Sequence, residues 1–263
     1  MSVYNAEDYL VDAIESILNQ TYEDWEFIIC NDGSTDGTQK ILNQYKEKFP
    51  DKFVLLQNDS NKFLPYSLNR CIEAANGEYI ARMDGDDKSV PDRFEKQIRF
   101  LQEHPEYDLV GAAMQRFDEK KLADLVKKPA DVDRNFIRND VPFNHATIMT
   151  YKRVYEALGG YTVSPRTVRG QDYDLWFRFF YKGFRGYNLQ EPLYLVRENM
   201  AAIKRRTFKV RWNAFKTTCI GYKLLGFPRR WLVKPFCLAI GKSLVPYGLI
   251  KKYREYQGRK AAE

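Results

Sequence analysis

Between residues 25 and 104, short apolar runs alternate with segments of helical periodicity, and two of the runs empty into turns rich in aspartate. "WEFIIC" (25–30) leads into "NDGSTDG", and "GEYIARM" (77–83) leads into "DGDD". A short apolar run bounded by turn residues reads as a buried strand feeding a loop. Before the first run, Leu10, Ile14, Ile17 and Leu18 sit at helical spacing within residues 6–19, with Asn5 as a candidate N-cap and Asp8 three positions on. A helix is expected from Thr38 to Phe49, a strand over "KFVLLQN", a crossover helix over "LPYSLNRCIEAAN" and a third strand over "EYIARM". Strands separated by helices of roughly 10–15 residues require right-handed crossovers. The expected class is therefore α/β, a mostly parallel sheet flanked by helices.

Further along, Pro91 opens a helix over "DRFEKQIRFLQEH", and "YDLVGAAMQRF" reads as a strand. Residues 117–145 are polar and weakly patterned, as loops over a site would be. "DYDLWFRFFYKG" (172–183) is helical, with Leu175, Trp176, Phe179 and Phe180 on one side, and "FRGYNLQEPLYLVRE" is strand-like. The beginning departs from this pattern. Alternating α/β domains open with a buried central strand, and only Met1-Ser2-Val3 stands where it belongs. The expectation is an absent first strand, an empty central sheet position and a sequence short of several native residues.

In open parallel sheets ligands bind beyond the carboxyl ends of the strands, so Asp32 and the group Asp84, Asp86, Asp87 should face one crevice. Carboxylates this close repel by roughly 1 kcal/mol per pair in water and about 4 kcal/mol at an effective dielectric near 20. A divalent cation relieves that repulsion, and oxygen-only ligands favour Mg²⁺ or Mn²⁺, held by one or two carboxylates together with substrate phosphates. The alternative is a solvated turn whose aspartates cap the helix after Pro91, although that leaves unexplained why an acidic turn follows a buried strand twice. Lys88 at the fifth position of the cluster excludes an EF-hand loop and a haloacid-dehalogenase aspartyl-phosphate motif. No P-loop and no G-x-G-x-x-G occurs, so phosphates would be held by metal and side chains.

Taken in order and spacing, "SVYNAEDYLVDAIESILNQTYEDWEFIICNDGSTDGT", "GEYIARMDGDD" and "GQDYDLWFRF" resemble the family 2 glycosyltransferases of GT-A fold, over about residues 2–200. The resemblance implies an inverting, metal-dependent transfer of a sugar from a nucleotide diphosphate sugar to an acceptor hydroxyl. It implies that Asp32 contacts the nucleotide base with Tyr4 packed against it. It also implies that Asp86 and Asp87 contact Mn²⁺ or Mg²⁺, that Asp84 takes a ribose or neighbouring role, and that Arg82 approaches the diphosphate, an exposed strand-end arginine being the alternative. The family's base is the Asp of an "ED" pair before an "LWxR" helix, a role that falls to Asp172. Gln171 departs from the usual glutamate and removes a like charge beside the base. An N-cap for the helix is the alternative role of Asp172. His145 falls on the acceptor side, with a structural histidine as its alternative. Trp176 reads as core rather than as a substrate platform. Phe63 stands where relatives carry glycine.

The net charge of +7 conceals two regions. Residues 201–263 hold 16 Lys/Arg against two Asp/Glu, leaving 26 basic and 33 acidic residues for 1–200. The expected division is a nucleotide-sugar-binding catalytic domain over 1–200 and a basic amphipathic helical region over 201–263. Lys234, Pro235, Lys242 and Pro246 interrupt the apolar stretches of that region, so no spanning helix is expected. Basic helices rich in Trp and Phe fit an anionic membrane surface, and no nucleic-acid-reading motif accompanies the charge. Packing on the catalytic domain or on a dimer partner is the alternative. Four widely spaced cysteines and two histidines give neither a disulfide framework nor a zinc site. "MSVYNAEDYL" has no basic n-region and no apolar h-region, so no signal peptide is expected. The expected location is cytoplasmic, peripheral at the inner membrane face, with a glycan or lipid-linked acceptor from polysaccharide or lipid-glycan synthesis. The alternative function is an inert nucleotide-sugar-binding protein lacking its first strand.

Overall fold

The structure, a computed structural model, describes residues 1–118, 122–197 and 207–244, with side chains as far as 241. The parts of the basic region at 201–206 and 245–263 lie outside the described residues. The strands are β1 (Ser2–Val3), β2 (Phe27–Asn31), β3 (Phe53–Gln57), β4 (Tyr79–Ala81), β5 (Lys88–Ser89), β6 (Leu109–Phe117), β7 (Leu122–Val126), β8 (Met149–Tyr151) and β9 (Gly186–Arg197). The helices are α1 (Leu10–Leu18), α2 (Thr38–Lys48), α3 (Leu64–Ala74), α4 (Arg93–Glu103), α5 (Lys152–Leu158), α6 (Gln171–Tyr181), α7 (Phe208–Leu224) and α8 (Val233–Leu244).

β1, β2 and β3 form an all-parallel sheet, whereas a second sheet runs β4-β8-β6-β9-β5 with β7 added to β6. In the second sheet only β6 and β9 are parallel. The mostly parallel pairing expected is complete in the crossover half and, among the described strands of the second sheet, is limited to β6 and β9. Beyond β4 the chain pairs antiparallel from β4 to β8 and from β9 to β5, while the parallel pair β6 and β9 is joined through α5 and α6.

Of the expected absent first strand and empty central position, the first is corrected and the second is met in part, since a two-residue strand stands there with a cavity beside it. Met1 to Val3 occupy that position, held to β2 by bonds from the Met1 ammonium to Ile28 O (2.7 Å), from Cys30 N to Met1 O (2.9 Å) and from Asp32 N to Val3 O (2.8 Å). Ser2 also bridges to Asp84, which joins the two sheets where the acidic loop begins. Next to this short strand lies a cavity of about 620 Å³ between β2 and β4, with Ile28, Cys71, Ile80, Arg82, Tyr155 and Tyr161 in its lining.

α1 begins at Leu10, four residues later than the apolar spacing alone implies. Ala6 to Tyr9 form a turn whose Ala6 N–H bonds to Thr38 Oγ1 at 2.8 Å, so the loop after β1 is tied to the start of α2 and not coiled into α1. The apolar face of α1 buries Leu10, Ala13, Ile14 and Ile17 in a cluster shared with β2, β3, α2 and α4. Each such residue withdrawn from water contributes about 1.5–3 kcal/mol. A second cluster joins Phe143, Leu175, Trp176 and Phe179 to Tyr222 and Phe227, so α7 and the turn after it share a core with α6.

Candidate functional site at the carboxyl edge of the sheets

The acidic loop follows β4 directly. Gly85 lies so close to Val3 that a Cβ there would stand 2.6 Å from Val3 Cγ1, which is why the turn between the aspartates carries no side chain. Asp84 N–H donates to the Tyr194 hydroxyl at 3.0 Å, and the Asp84 carboxylate is gripped by both terminal nitrogens of Arg82. Asp87, buried, accepts Arg197 N–H at 2.8 Å, while the Arg197 side chain donates to Asp86 O at 3.0 Å and to Asp12 Oδ2 at 2.8 Å. Burial, then the charges of Asp84 and Asp86, push the Asp87 carboxyl up to about 8. Asp86 is raised as well, chiefly by burial and then by Asp84. These carboxylates are crowded beyond what their hydrogen bonds relieve.

Arg82 is buried, not an exposed strand-end arginine. Its Nε has no hydrogen-bond partner among the described residues, and its charge reaches Asp84, Asp86, Asp87, His145 and Asp172. Arg93, fully buried, holds the loop from behind by donating to Ser89 Oγ (3.0 Å), Arg82 O (2.9 Å) and Ile148 O (3.2 Å). Sequence periodicity places Arg93 on a helix but does not reveal that it is buried.

Asp172 stands in the first turn of α6, which Gly170 enters at φ 82° without a side-chain cap. The carboxyl of Asp172 is raised chiefly by burial, an effect opposed by the Tyr173 N–H and by Arg82 and reinforced by Asp84. Asp172 and the acidic loop therefore share one electrostatic neighbourhood. Gln171, buried, is the first residue of α6. The helix is pinned by buried Asp174, which pairs with Arg166 (2.6 Å) and Arg178 (3.0 Å) and accepts from Thr162 Oγ1 (2.7 Å). Arg178 in turn donates to Leu158 O and Gly160 O. His145 Nε2 lies 2.7 Å from the Tyr161 hydroxyl, itself 2.9 Å from the Tyr155 hydroxyl. Burial and the Arg82 charge hold the His145 imidazole well below its ordinary pKa, so it is neutral near pH 7. Trp176 is fully buried against Phe143 and Phe179.

The other side of the site is built from the ends of β1 and β2. Asp32 is buried and accepts from Asn58 Nδ2 (2.6 Å) and Lys62 N–H (2.8 Å), so its carboxylate is fixed to the loop after β3. Tyr4, 48% exposed, is free to meet a ligand. Tyr194, Arg197 and Tyr161 come from segments about 80 to 110 residues away from the acidic loop, and no local motif announces them. The 620 Å³ cavity is not this site: neither the acidic loop 84–87 nor Asp172 lines it.

Among the described residues no three His, Cys, Asp or Glu side chains stand together as a ready metal cage. A divalent ion needs fewer here, because Mg²⁺ and Mn²⁺ take one or two carboxylates and complete their shells with water and phosphate oxygens. The raised carboxyls of Asp86 and Asp87 fit that requirement. Their donor chemistry is hard oxygen, and a cation would remove the repulsion that burial magnifies.

The chain matches the profile described as glycosyl transferase family 2 over residues 1–159. It is 49% identical over 208 residues to EpsE of Bacillus subtilis (strain 168), which bears a provisional glycosyltransferase name, covering 79% of this chain and 75% of the relative. It is 31% identical over 229 residues to the amylovoran biosynthesis glycosyltransferase AmsE of Erwinia amylovora, covering 85% and 83%. The fold also matches the solved mannosyltransferase PcManGT from Pyrobaculum calidifontis in complex with GDP-Man and Mn²⁺, with TM-score 0.61, 17% identity and coverage of 97% of this chain and 77% of that one.

Proposed function

Because the chain belongs to glycosyl transferase family 2 and is a glycosyltransferase of GT-A type, we propose that it transfers a sugar with inversion from a nucleoside diphosphate sugar to an acceptor hydroxyl. The observation that carries the reading is Asp172, raised by burial beside Arg82 and the acidic loop. Asp172 takes the proton of the attacking hydroxyl, a general-base contribution of about 10²–10⁴-fold. Its raised pKa makes it a stronger proton acceptor than an exposed aspartate.

Asp32 and Tyr4 receive the nucleotide base, with Asp32 held in place by Asn58 and Lys62. Asp86 and Asp87 are the carboxylates for a divalent ion, Mn²⁺ or Mg²⁺, which supplies positive charge against the leaving diphosphate. Arg82 carries a buried donor without a partner, and a diphosphate oxygen satisfies it; leaving such a group unpaired costs about 1–3 kcal/mol. Asp84, held by Arg82, is placed for the ribose, and Gln171 and neutral His145, oriented by Tyr161, face the acceptor.

The acceptor is a cell-surface polysaccharide or lipid-linked glycan, a reading that AmsE supports by its name, and the enzyme works from the cytoplasmic side at an anionic membrane. The test offers labelled nucleotide sugars to the protein with a membrane extract as acceptor and determines the anomeric configuration of the product. Asp172→Asn should lower transfer by at least about 10²-fold while nucleotide affinity stays within twofold of the parent. Retention of configuration, or undiminished transfer by Asp172→Asn, would overturn the assignment.

A further inference from the structure

α7 and the turn after it bury one side on the catalytic domain, and α8 packs on α7 and leaves much of its apolar surface uncovered. Tyr222 packs edge-on against Phe177, and Phe227 against Trp231, while Arg138 from the catalytic domain lies 3.4 Å over the Trp231 ring. On the outer side, Val233, Phe236, Cys237 and Ile240 fall at i, i+3, i+4 and i+7 of α8, the spacing of an apolar stripe that normally faces a core. Here Val233 is 63% exposed and Phe236 41%. Phe236 joins Trp212 and Phe215 of α7 in an aromatic group that continues to Phe208, itself 56% exposed.

Residues 207–244 contain eight Lys/Arg and no Asp/Glu. Lys209, Lys216, Arg229, Arg230 and Lys234, on α7, α8 and the turn between them, are exposed. Two copies of such a face repel each other, and a nucleic acid offers the stripe of Val, Phe and Ile nothing apolar of matching length. An anionic lipid surface answers both features, phosphate groups to the cations and the acyl boundary to the stripe. α8, at 12 residues, is about 18 Å long, too short to cross a bilayer, and among the described residues no helix is long and apolar enough to do so.

We infer that the outer face of α7 and α8 is an interfacial docking surface for anionic phospholipid, with α8 lying in the membrane plane and its Val233–Phe236–Ile240 stripe turned into the acyl boundary. This rests on the membrane placement proposed above but not on the transfer chemistry. Because α8 packs on α7 through Phe236, Trp212 and Phe215, and α7 shares a core with α6, docking would fix the site relative to the membrane.

The test is co-sedimentation of the full chain with phosphatidylcholine vesicles, with and without phosphatidylglycerol, at low and high salt. The parent should bind only vesicles carrying phosphatidylglycerol, and less at high salt. Arg229→Ser/Arg230→Ser should weaken binding about fivefold per charge removed, and Val233→Asp/Phe236→Asp should abolish it. Arg229, Arg230 and Val233 are exposed and Phe236 gives up only its contacts with Trp212 and Phe215, so the arginine pair should melt with the parent, the Val233/Phe236 pair somewhat lower, and both should keep the parent's nucleotide affinity, which separates a failure here from a failure of the transferase reading. Equal binding to both kinds of vesicle, no binding to either, or variants that bind as the parent does would overturn the inference. A concentration-dependent dimer abolished by Val233→Asp/Phe236→Asp would assign the face to a second copy and overturn it too.

Discussion

At the scale of single residues, the acidic loop stores repulsion that its fold does not relieve. Asp87 is pushed up to about 8, so the folded, metal-free protein keeps a proton there that the unfolded chain releases near pH 4. Stability should therefore fall as pH rises from about 4 to about 8, the interval in which only the folded state holds that proton. Asp87→Asn should flatten this part of the profile, giving a melting temperature above the parent's at pH 8 and close to it near pH 5. Mn²⁺ should raise the parent's melting temperature at pH 8 and that of Asp87→Asn much less. Parallel parent and variant profiles would contradict the crowding argument. Phe63 carries a separate strain: at φ 69° and ψ 160° it occupies backbone space that essentially only glycine visits, at a cost of about 1–3 kcal/mol. Phe63→Gly removes the strain and loses about 0.5–1 kcal/mol to chain entropy. Since the ring is half exposed, the expected net gain is about 1 kcal/mol, read as a higher denaturation midpoint. The resemblance raises the question at Phe63, where it implies a glycine; only the backbone angles answer it.

Among the elements, β2, β4 and α6 were legible because each couples a clear periodicity to a turn-rich end. β8 and α5 were not: three strand residues, Met149–Tyr151, run straight into a helix of seven, too short for either period to declare itself. The antiparallel half of the second sheet was hidden for a related reason. β8 pairs with β4 and β6 across 39 to 72 residues, and nothing local encodes that partnership. The join between α6 and α7 was foreshadowed only by the alternative that the basic helices pack on the catalytic domain, and it makes a prediction of unusual sign. Replacing a mid-helix glycine by alanine ordinarily stabilises by roughly 1 kcal/mol. At Gly221 a Cβ would fall within the buried Phe177 ring, so Gly221→Ala should instead destabilise by about 1–3 kcal/mol through overpacking. Equilibrium denaturation of the variant measures it; a midpoint at or above the parent's would mean that α7 does not pack on α6 as described.

For the whole molecule, the division of charge visible in the sequence corresponds to a division of surfaces. The aspartates of the candidate site follow the carboxyl ends of β2 and β4, and residues 207–244, which hold α7 and α8, carry basic residues and no acidic ones. The candidate site was legible as far as its motifs reach, through Asp32, Asp84–Asp87 and Asp172. Its supports, Arg93, Tyr161, Tyr194 and Arg197, were not, because each acts across the fold on a residue distant in sequence. The central claim is that the acidic loop holds a divalent ion against the diphosphate of a sugar nucleotide. Its most direct test is calorimetric titration of the purified protein with UDP, dTDP and GDP, with and without Mn²⁺, beside Asp86→Ala/Asp87→Ala. The account predicts metal-dependent binding of one nucleotide, lost in a variant that melts no lower than the parent at pH 8. Binding that is equally tight without Mn²⁺ and unchanged in the variant would contradict it.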